Sequence, residues 1–252
     1  MGTLASLWYR EFKIWSRSPL MVGVAIAQPL LYLVLLGSAI GNMVGEVIFY
    51  GEQIAYMAYI TPGMMALAAV GTALEAGLGI YLDRRTHMFE ELLTSTSGRH
   101  AYMGAKILFG ITLALIQAAV ILAIALPILG EHMLHFNIPL VLASMVLGAI
   151  CFSSLGMALS SAITSNDLFN ATYNLIWLPI IFCSSIFYDV GKMPTWMKCI
   201  VTVNPLTYTV ETMRAGVFGV WNGQIATDLL ILAAIAAGLF CVAVAAYRRI
   251  RI

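Results

Sequence analysis

The chain has 252 residues, of which 61% are hydrophobic and only 10% are charged, with a net charge of +1. Soluble domains carry about 25% charged residues, so this composition excludes an ordinary soluble protein and predicts one embedded in lipid. The small net charge gives no indication of a nucleic-acid partner. Continuous apolar runs favour membrane spans made of α-helices over spans made of β-strands.

The first segment, residues 3–17, is predicted to form an amphipathic helix that lies flat in the membrane surface. Its apolar face contains Leu4, Trp8, Phe12 and Trp15, and its polar face contains Ser6, Arg10, Lys13 and Arg17. A soluble cap helix would show the same spacing. The two tryptophans favour the membrane interface.

Six later runs are long and apolar enough to cross a bilayer as helices. We predict an all-α integral membrane protein with six spans, at about 20–41, 56–81, 103–130, 138–163, 168–188 and 225–247. The segment between the last two spans is amphipathic and too broken to be one simple span. All six spans are assigned to a single transmembrane domain covering residues 1–252.

The distribution of basic residues predicts the orientation. When the N-terminus is placed inside, ten of the 13 Lys and Arg fall inside, and only Lys192, Lys198 and Arg214 fall outside. Basic residues concentrate on the cytoplasmic side of membrane proteins. We therefore expect a multi-pass protein of the plasma membrane, the cytoplasmic membrane of a prokaryote, with both termini in the cytoplasm.

The polar stretch 83–106 lies between two apolar runs and is predicted to be cytoplasmic. Phe89, Leu92 and Leu93 form an apolar ridge among acids and bases, which is typical of a docking helix. A solvated charged loop is an equally good interpretation of this stretch taken alone.

No enzymatic motif is present in the sequence. There is no G-x-x-x-x-G-K-[ST] phosphate-binding loop, because Gly191-Lys192 is followed by Met193. Glu131, His132 and His135 are too few for a closed metal site, so we predict no metal and no cofactor. The four cysteines are interpreted as small apolar side chains.

The C-terminal half carries a recognisable motif. The run Asn204-Pro205-Leu206-Thr207-Tyr208, followed by Glu211 and Arg214, resembles the N-P-L-T-Y-x-x-(D/E)-x-x-R signature of type-2 ABC exporter permeases. These are the membrane subunits of exporters of drugs, polysaccharides and lipo-oligosaccharides. The stretch 187–196, with Pro194 and Trp196, resembles the family's F-x-x-x-x-x-x-P-x-W element.

Residues 83–99 resemble a third family element, D-R-E-x-G-T-x-E-x-L-L-x-S-P-x-S-R. The matching positions are Asp83, Arg84, Glu91, Leu92, Leu93, Ser95, Ser97 and Arg99. The chain departs from the pattern at Arg85, His87 and Thr96, where Glu, Gly and Pro are common. The resemblance to the family covers almost the whole chain.

The resemblance implies a specific assembly. Two permease subunits would pair, here as a homodimer, and each would rest on a separate ATP-binding subunit that holds the ATP and Mg. Residues 3–17 would be the connecting helix at the cytoplasmic surface, and 83–99 would be the coupling helix, with the coupling residues Arg84, Phe89, Glu91, Leu92, Leu93 and Arg99. Residues 189–215 would form a re-entrant helical hairpin, with the motif residues Pro194, Trp196, Asn204, Pro205, Tyr208, Glu211 and Arg214.

A polar and aromatic stripe runs along the fifth span and a weaker one along the second. Such a stripe is costly against lipid, so it faces other helices or a substrate path. The family resemblance favours a path, predicted to contain Thr72, Glu75, Asn170, Tyr173, Asn174, Trp177 and Ser184. For Glu75 alone, a pairing with Arg84 or Lys106 at the cytosolic rim is the favoured interpretation.

The predicted function is that of the permease subunit of an ABC exporter, which moves an amphipathic drug, lipid or glycan outward by alternating access. ATP hydrolysis would reside in the partner chain, so this chain is predicted not to be an enzyme. An ATP-independent carrier or channel with six spans is the alternative. A membrane-embedded hydrolase is disfavoured because no catalytic acids or activated serine are visible.

Overall fold

The computed structural model describes residues 3–85, 98–129, 136–188 and 190–248 of the protein. These residues form nine α-helices and one β-hairpin. The elements are α1 (Thr3–Ser16), α2 (Pro19–Val44), β1 (Glu46–Phe49), β2 (Glu52–Ala55), α3 (Tyr56–Arg85), α4 (Gly98–Leu129), α5 (Ile138–Ala162), α6 (Asn166–Phe182), α7 (Thr195–Val201), α8 (Pro205–Val217) and α9 (Gly223–Arg248).

Five of the described helices, α2, α3, α4, α5 and α9, are long and apolar enough to cross a membrane. The predicted fifth span differs, because α6 has 17 residues and ends at Phe182, whereas the prediction extended to residue 188. At 1.5 Å per residue, α6 is about 25 Å long, which is near the lower limit for a span. By length, the described residues thus contain five helices that can span a membrane, and α6 is at the lower limit.

A short antiparallel hairpin joins α2 to α3, between the first two predicted spans. Strand β1 pairs with β2 from Glu46 opposite Ala55 to Phe49 opposite Glu52. The two turn residues, Tyr50 and Gly51, have φ angles of 48° and 90°. Two positive φ angles in a two-residue turn suit the right-handed twist of the strands. A tyrosine is uncommon in this conformation, which is why sequence reasoning missed the hairpin.

Helix α3 is the centre of the bundle, and it is buried along most of its length by α4 and α5. Glycines allow α3 and α5 to meet backbone to backbone. A Cβ atom added at Gly77 would lie 2.1 Å from the carbonyl oxygen of Ser153, and one at Gly156 would lie 2.4 Å from that of Leu74. Small residues permit this close approach between membrane helices.

Helix α1 packs its aromatic face on α4. Trp8, Phe12 and Trp15 contact a small cluster that includes Phe109 and Leu113. The indole Nε1 of Trp8 also donates a hydrogen bond of 3.1 Å to the Thr112 hydroxyl. The aromatic face predicted from the sequence thus packs against the N-terminal half of α4.

Candidate transport site

The segment 183–188 follows α6 without forming a helix, and distant side chains bind its backbone carbonyls. Nδ2 of Asn204 donates to the carbonyl oxygens of Ile180 at 2.8 Å and Cys183 at 2.7 Å. The side-chain oxygen of Asn204 accepts from the Leu206 N–H at 3.0 Å, which caps α8. Asn204 therefore caps the start of α8 and also binds the end of α6.

Arg214 is fully buried and binds the next part of the same segment. Its Nη2 donates to the Ser185 carbonyl at 2.8 Å, and its Nε donates to the Tyr59 carbonyl at 3.2 Å. Its Nη1 pairs with Glu211 at 2.9 Å, and the guanidinium lies 3.9 Å from the centroid of the Tyr59 ring. A buried arginine is tolerated here because acceptors surround it on several sides.

Tyr56 is the third side chain that binds this segment, since its hydroxyl donates to the Phe187 carbonyl at 3.1 Å. We call Tyr56, Asn204 and Arg214 the carbonyl clamp. Irregular backbone is tolerated at membrane depth only where protein satisfies its polar groups. The clamp does this for the segment after α6, and it gives the sequence motif a structural reason.

The other residues of the sequence motifs do not bind the segment after α6. Pro205 is the first residue of α8, and the Tyr208 hydroxyl donates to the Thr202 carbonyl at 2.6 Å. Pro194 immediately precedes α7, whereas Trp196 is 66% exposed. The structure thus brings together the motif residues from 204 to 214 and leaves Trp196 outside them.

A polar face lies open along α3 and α6. Glu75 is exposed although most residues around it on α3 are buried, and the Tyr173 hydroxyl lies 3.5 Å from its Oε1 atom. Asn170 and Asn174 are exposed on the adjacent helix, where Nδ2 of Asn174 bonds the Asn170 carbonyl at 2.9 Å. We call Glu75, Asn170, Tyr173 and Asn174 the open polar face.

Three residues predicted for the substrate path do not belong to this face. Trp177 is buried, stacks on Tyr173 and packs against Gly71. Thr72 and Ser184 are also buried, and their hydroxyls bond backbone carbonyls three or four residues earlier. These bonds satisfy the hydroxyls within their own segments, so neither is available to the open face.

The rim pairing favoured for Glu75 is contradicted by the structure. Nη1 of Arg84 donates instead to the Ser160 carbonyl at 3.1 Å, and Lys106 pairs with other acids. Glu75 is left with Tyr173 as its described side-chain partner. The reason is geometric: Glu75 points toward α6, whereas Arg84 reaches α5.

Four charged residues near one end of the bundle form an ionic cluster that sequence reasoning missed. Lys106 on α4 is buried and lies 2.8 Å from both Glu11 on α1 and Asp83 on α3. Arg10 pairs with the same two acids at 2.9 and 3.3 Å. The Tyr102 hydroxyl also donates to Asp83. The sequence signal that could have predicted this cluster is the placement of acids and bases at the same end of three helices.

Most of the predicted coupling residues cannot be placed. Phe89, Glu91, Leu92 and Leu93 lie outside the described residues, and so do Glu131, His132 and His135. Arg99 lies in the first turn of α4. The ionic cluster nevertheless joins α1 to the two helices, α3 and α4, that flank residues 86–97.

Comparison with known proteins agrees with the motif. Residues 3–218 match the model of the family described as ABC-2 type transporter. The chain is 29% identical over 204 residues to a putative transport permease, ycf38, of Porphyra purpurea, covering 80% of this chain and 69% of the relative. It is 24% identical over 221 residues to nodulation protein J of Rhizobium leguminosarum bv. viciae, covering 85% and 82%.

A bacterial relative extends the similarity almost to the full chain. The inner membrane transport permease YadH of Escherichia coli K12 is 22% identical over 234 residues, which is 91% of this chain and 88% of the relative. The family match contains the ionic cluster, the open polar face and the carbonyl clamp. This chain therefore belongs to the ABC-2 type transporter family of membrane permeases.

Proposed function

We propose that this chain is the permease subunit of an ATP-driven exporter. Two copies form a homodimer, two ATP-binding subunits supply ATP and Mg, and an amphipathic drug, lipid or glycan moves outward by alternating access. Helix α6 is the fifth of six spans, and both termini lie in the cytoplasm. Membership of the ABC-2 family and relatives named transport permeases support this proposal.

The observation that carries the proposal is the open polar face. A carboxylate within a span is expensive against lipid, and so are two exposed amides on the adjacent helix. In a dimer whose axis passes beside α3 and α6, the faces of the two copies would line a shared polar cavity. The amides would bind polar groups of a substrate, and the Tyr173 ring would contact its apolar part.

The ionic cluster supplies a route for coupling. Asp83 and Glu75 lie on the same helix, α3, about two turns apart. Lys106 and Arg10 hold Asp83 to α4 and α1. A partner that pushed on residues 86–97 would therefore move α1, α3 and α4 together, and with them the open polar face.

The proposal is tested by Leu92→Asp/Leu93→Asp in the permease co-purified with its ATP-binding subunit and reconstituted in liposomes. We expect ATP-dependent export to fall at least ~10-fold, because two charges on an apolar docking ridge oppose burial. The matched control, Thr94→Asp/Thr96→Asp, adds the same charge beside the ridge and should retain most activity.

Two outcomes would contradict the proposal. Export and ATP hydrolysis that are equal in the ridge variant and the control would remove the coupling role of this segment. Export by the permease alone, without an ATP-binding subunit or ATP, would favour an ATP-independent carrier.

A further inference from the structure

Two cavities adjoin at the end of the bundle opposite the ionic cluster. The first, about 460 Å³, lies between the β-hairpin, α7, α8 and the start of α9. The second, about 570 Å³, lies between α2, the start of α3, the segment 182–188 and α7. Val47 and Tyr59 line both cavities, so the two cavities share part of their walls.

The first cavity contains a carboxyl group with no cationic partner among the described side chains. Of its two carboxylates, Glu211 is neutralised by Arg214 at 2.9 Å. Asp228 is 7% exposed, and its Oδ1 accepts a hydrogen bond of 3.0 Å from the Gln224 amide. Among the side chains that the structure describes, which do not include that of Lys192, no Lys, Arg or His pairs with the Asp228 carboxylate. A buried carboxylate without a cation is unfavourable, which makes this position attractive to a positively charged ligand.

A hydroxyl group in this cavity is unpaired within the described part of the chain. Thr207 lines the cavity and is 6% exposed, and its hydroxyl has no hydrogen-bond partner within the described part of the chain. Buried polar groups are nearly always hydrogen-bonded, so an unpaired hydroxyl beside a cavity indicates a missing ligand or water.

The aromatic walls of the first cavity suit a cation. Tyr59 and Phe49 already hold the Arg214 guanidinium, at 3.9 and 5.9 Å from their ring centroids. Tyr50 and Tyr208 add two further rings to the lining. Aromatic faces attract ammonium groups within about 6 Å, and they do so most strongly where water is excluded.

The second cavity is apolar. Phe182, Phe187, Met193 and Met197 contribute to its lining. Methionine side chains are flexible and polarisable and adapt to ligands of different shape. This cavity suits an alkyl chain or a ring system rather than a polar group.

We propose that the two adjoining cavities form one binding site for an amphiphile with an ammonium head group. Asp228, Thr207 and the tyrosines hold the head, and the methionines and phenylalanines hold the apolar body. The site is distinct from the open polar face, because Tyr59 and Glu75 are sixteen residues apart on α3, about 24 Å. It does not depend on transport, so it can be tested on the permease alone.

The test is equilibrium binding of n-octyltrimethylammonium to the full-length chain in nanodiscs of phosphatidylglycerol. We expect saturable binding that n-octyl sulfate does not compete, since the two probes differ in the sign of the head group. Asp228→Asn should weaken binding roughly 10-fold or more, because it removes the carboxylate that would pair with the ammonium head group. Asp167→Asn, at an exposed acid in the first turn of α6, is the matched control and should bind like the wild type.

A second variant tests the same site in case Asp228→Asn does not fold. Val47→Lys places an ammonium group in the wall shared by the cavities, on strand β1 rather than on a helix, and should abolish binding. Binding that persists in every folded variant, or that octyl sulfate competes equally, overturns the proposal. So does the absence of saturable binding to the wild type.

The source of the natural ligand is resolved by changing the lipid. If a lipid head group is the ligand, adding phosphatidylethanolamine to the discs should compete with the probe, and native mass spectrometry should retain that lipid on the wild type but not on Asp228→Asn. If the ligand is a free amine, the probe should bind equally in both kinds of disc.

Discussion

Replacing Arg214 with alanine tests the carbonyl clamp directly. The change removes donors to the Ser185 and Tyr59 carbonyls and leaves Glu211 without its partner. Removing one partner of a buried charged pair typically costs about 3–5 kcal/mol, because the remaining groups stay buried and unpaired. We expect the free energy of unfolding to fall by about that amount. Arg214→Lys should recover only part of it, because an ammonium cannot present a planar fork of donors.

The assay is unfolding of the purified full-length chain by SDS in mixed micelles, followed by tryptophan fluorescence. The matched control is Lys198→Ala, which removes one exposed hydrogen bond of 2.9 Å to the Gly191 carbonyl on the same end of the molecule. The control should change stability by less than about 0.5 kcal/mol. If the Arg214→Ala and Lys198→Ala proteins unfold with equal free energies, the clamp does not hold the segment after α6.

Three further predictions follow from the other features. Asn204→Ala should lower the free energy of unfolding by about 2 kcal/mol. Asn204→Asp should keep the α8 cap but lose both hydrogen bonds to the end of α6. Equal stability of the wild type and both variants in the same unfolding assay would contradict this prediction. Asn174→Leu should reduce export several-fold without changing stability, whereas Trp177→Ala, a buried residue, should reduce stability by about 3 kcal/mol or more. Normal export by Asn174→Leu in reconstituted liposomes would remove it from the substrate path. In a chain without its native cysteines, a cysteine at Glu52 should react with an impermeant maleimide in intact cells, and one at Ser97 should react only after permeabilisation. Labelling of Ser97→Cys in intact cells would reverse the proposed orientation.

The sequence determined the features that depend on local pattern. Helical spacing of the tryptophans in α1, long apolar runs and the Asn204–Arg214 motif are visible without coordinates, because each depends on residues within one segment. The same reasoning extended the fifth span too far. Residues 183–188 are apolar enough to continue α6, but side chains from α3 and α8 bind the carbonyls there.

Tertiary structure alone decided which side chains meet. Lys106 joins Glu11 and Asp83 although 95 and 23 residues separate it from them, and Glu75 faces α6 rather than Arg84. Such pairings depend on how helices rotate and cross, and close crossings such as that at Gly77 set this rotation. Periodicity gives the face of a helix on which a residue lies, but it does not give the neighbour that this face meets.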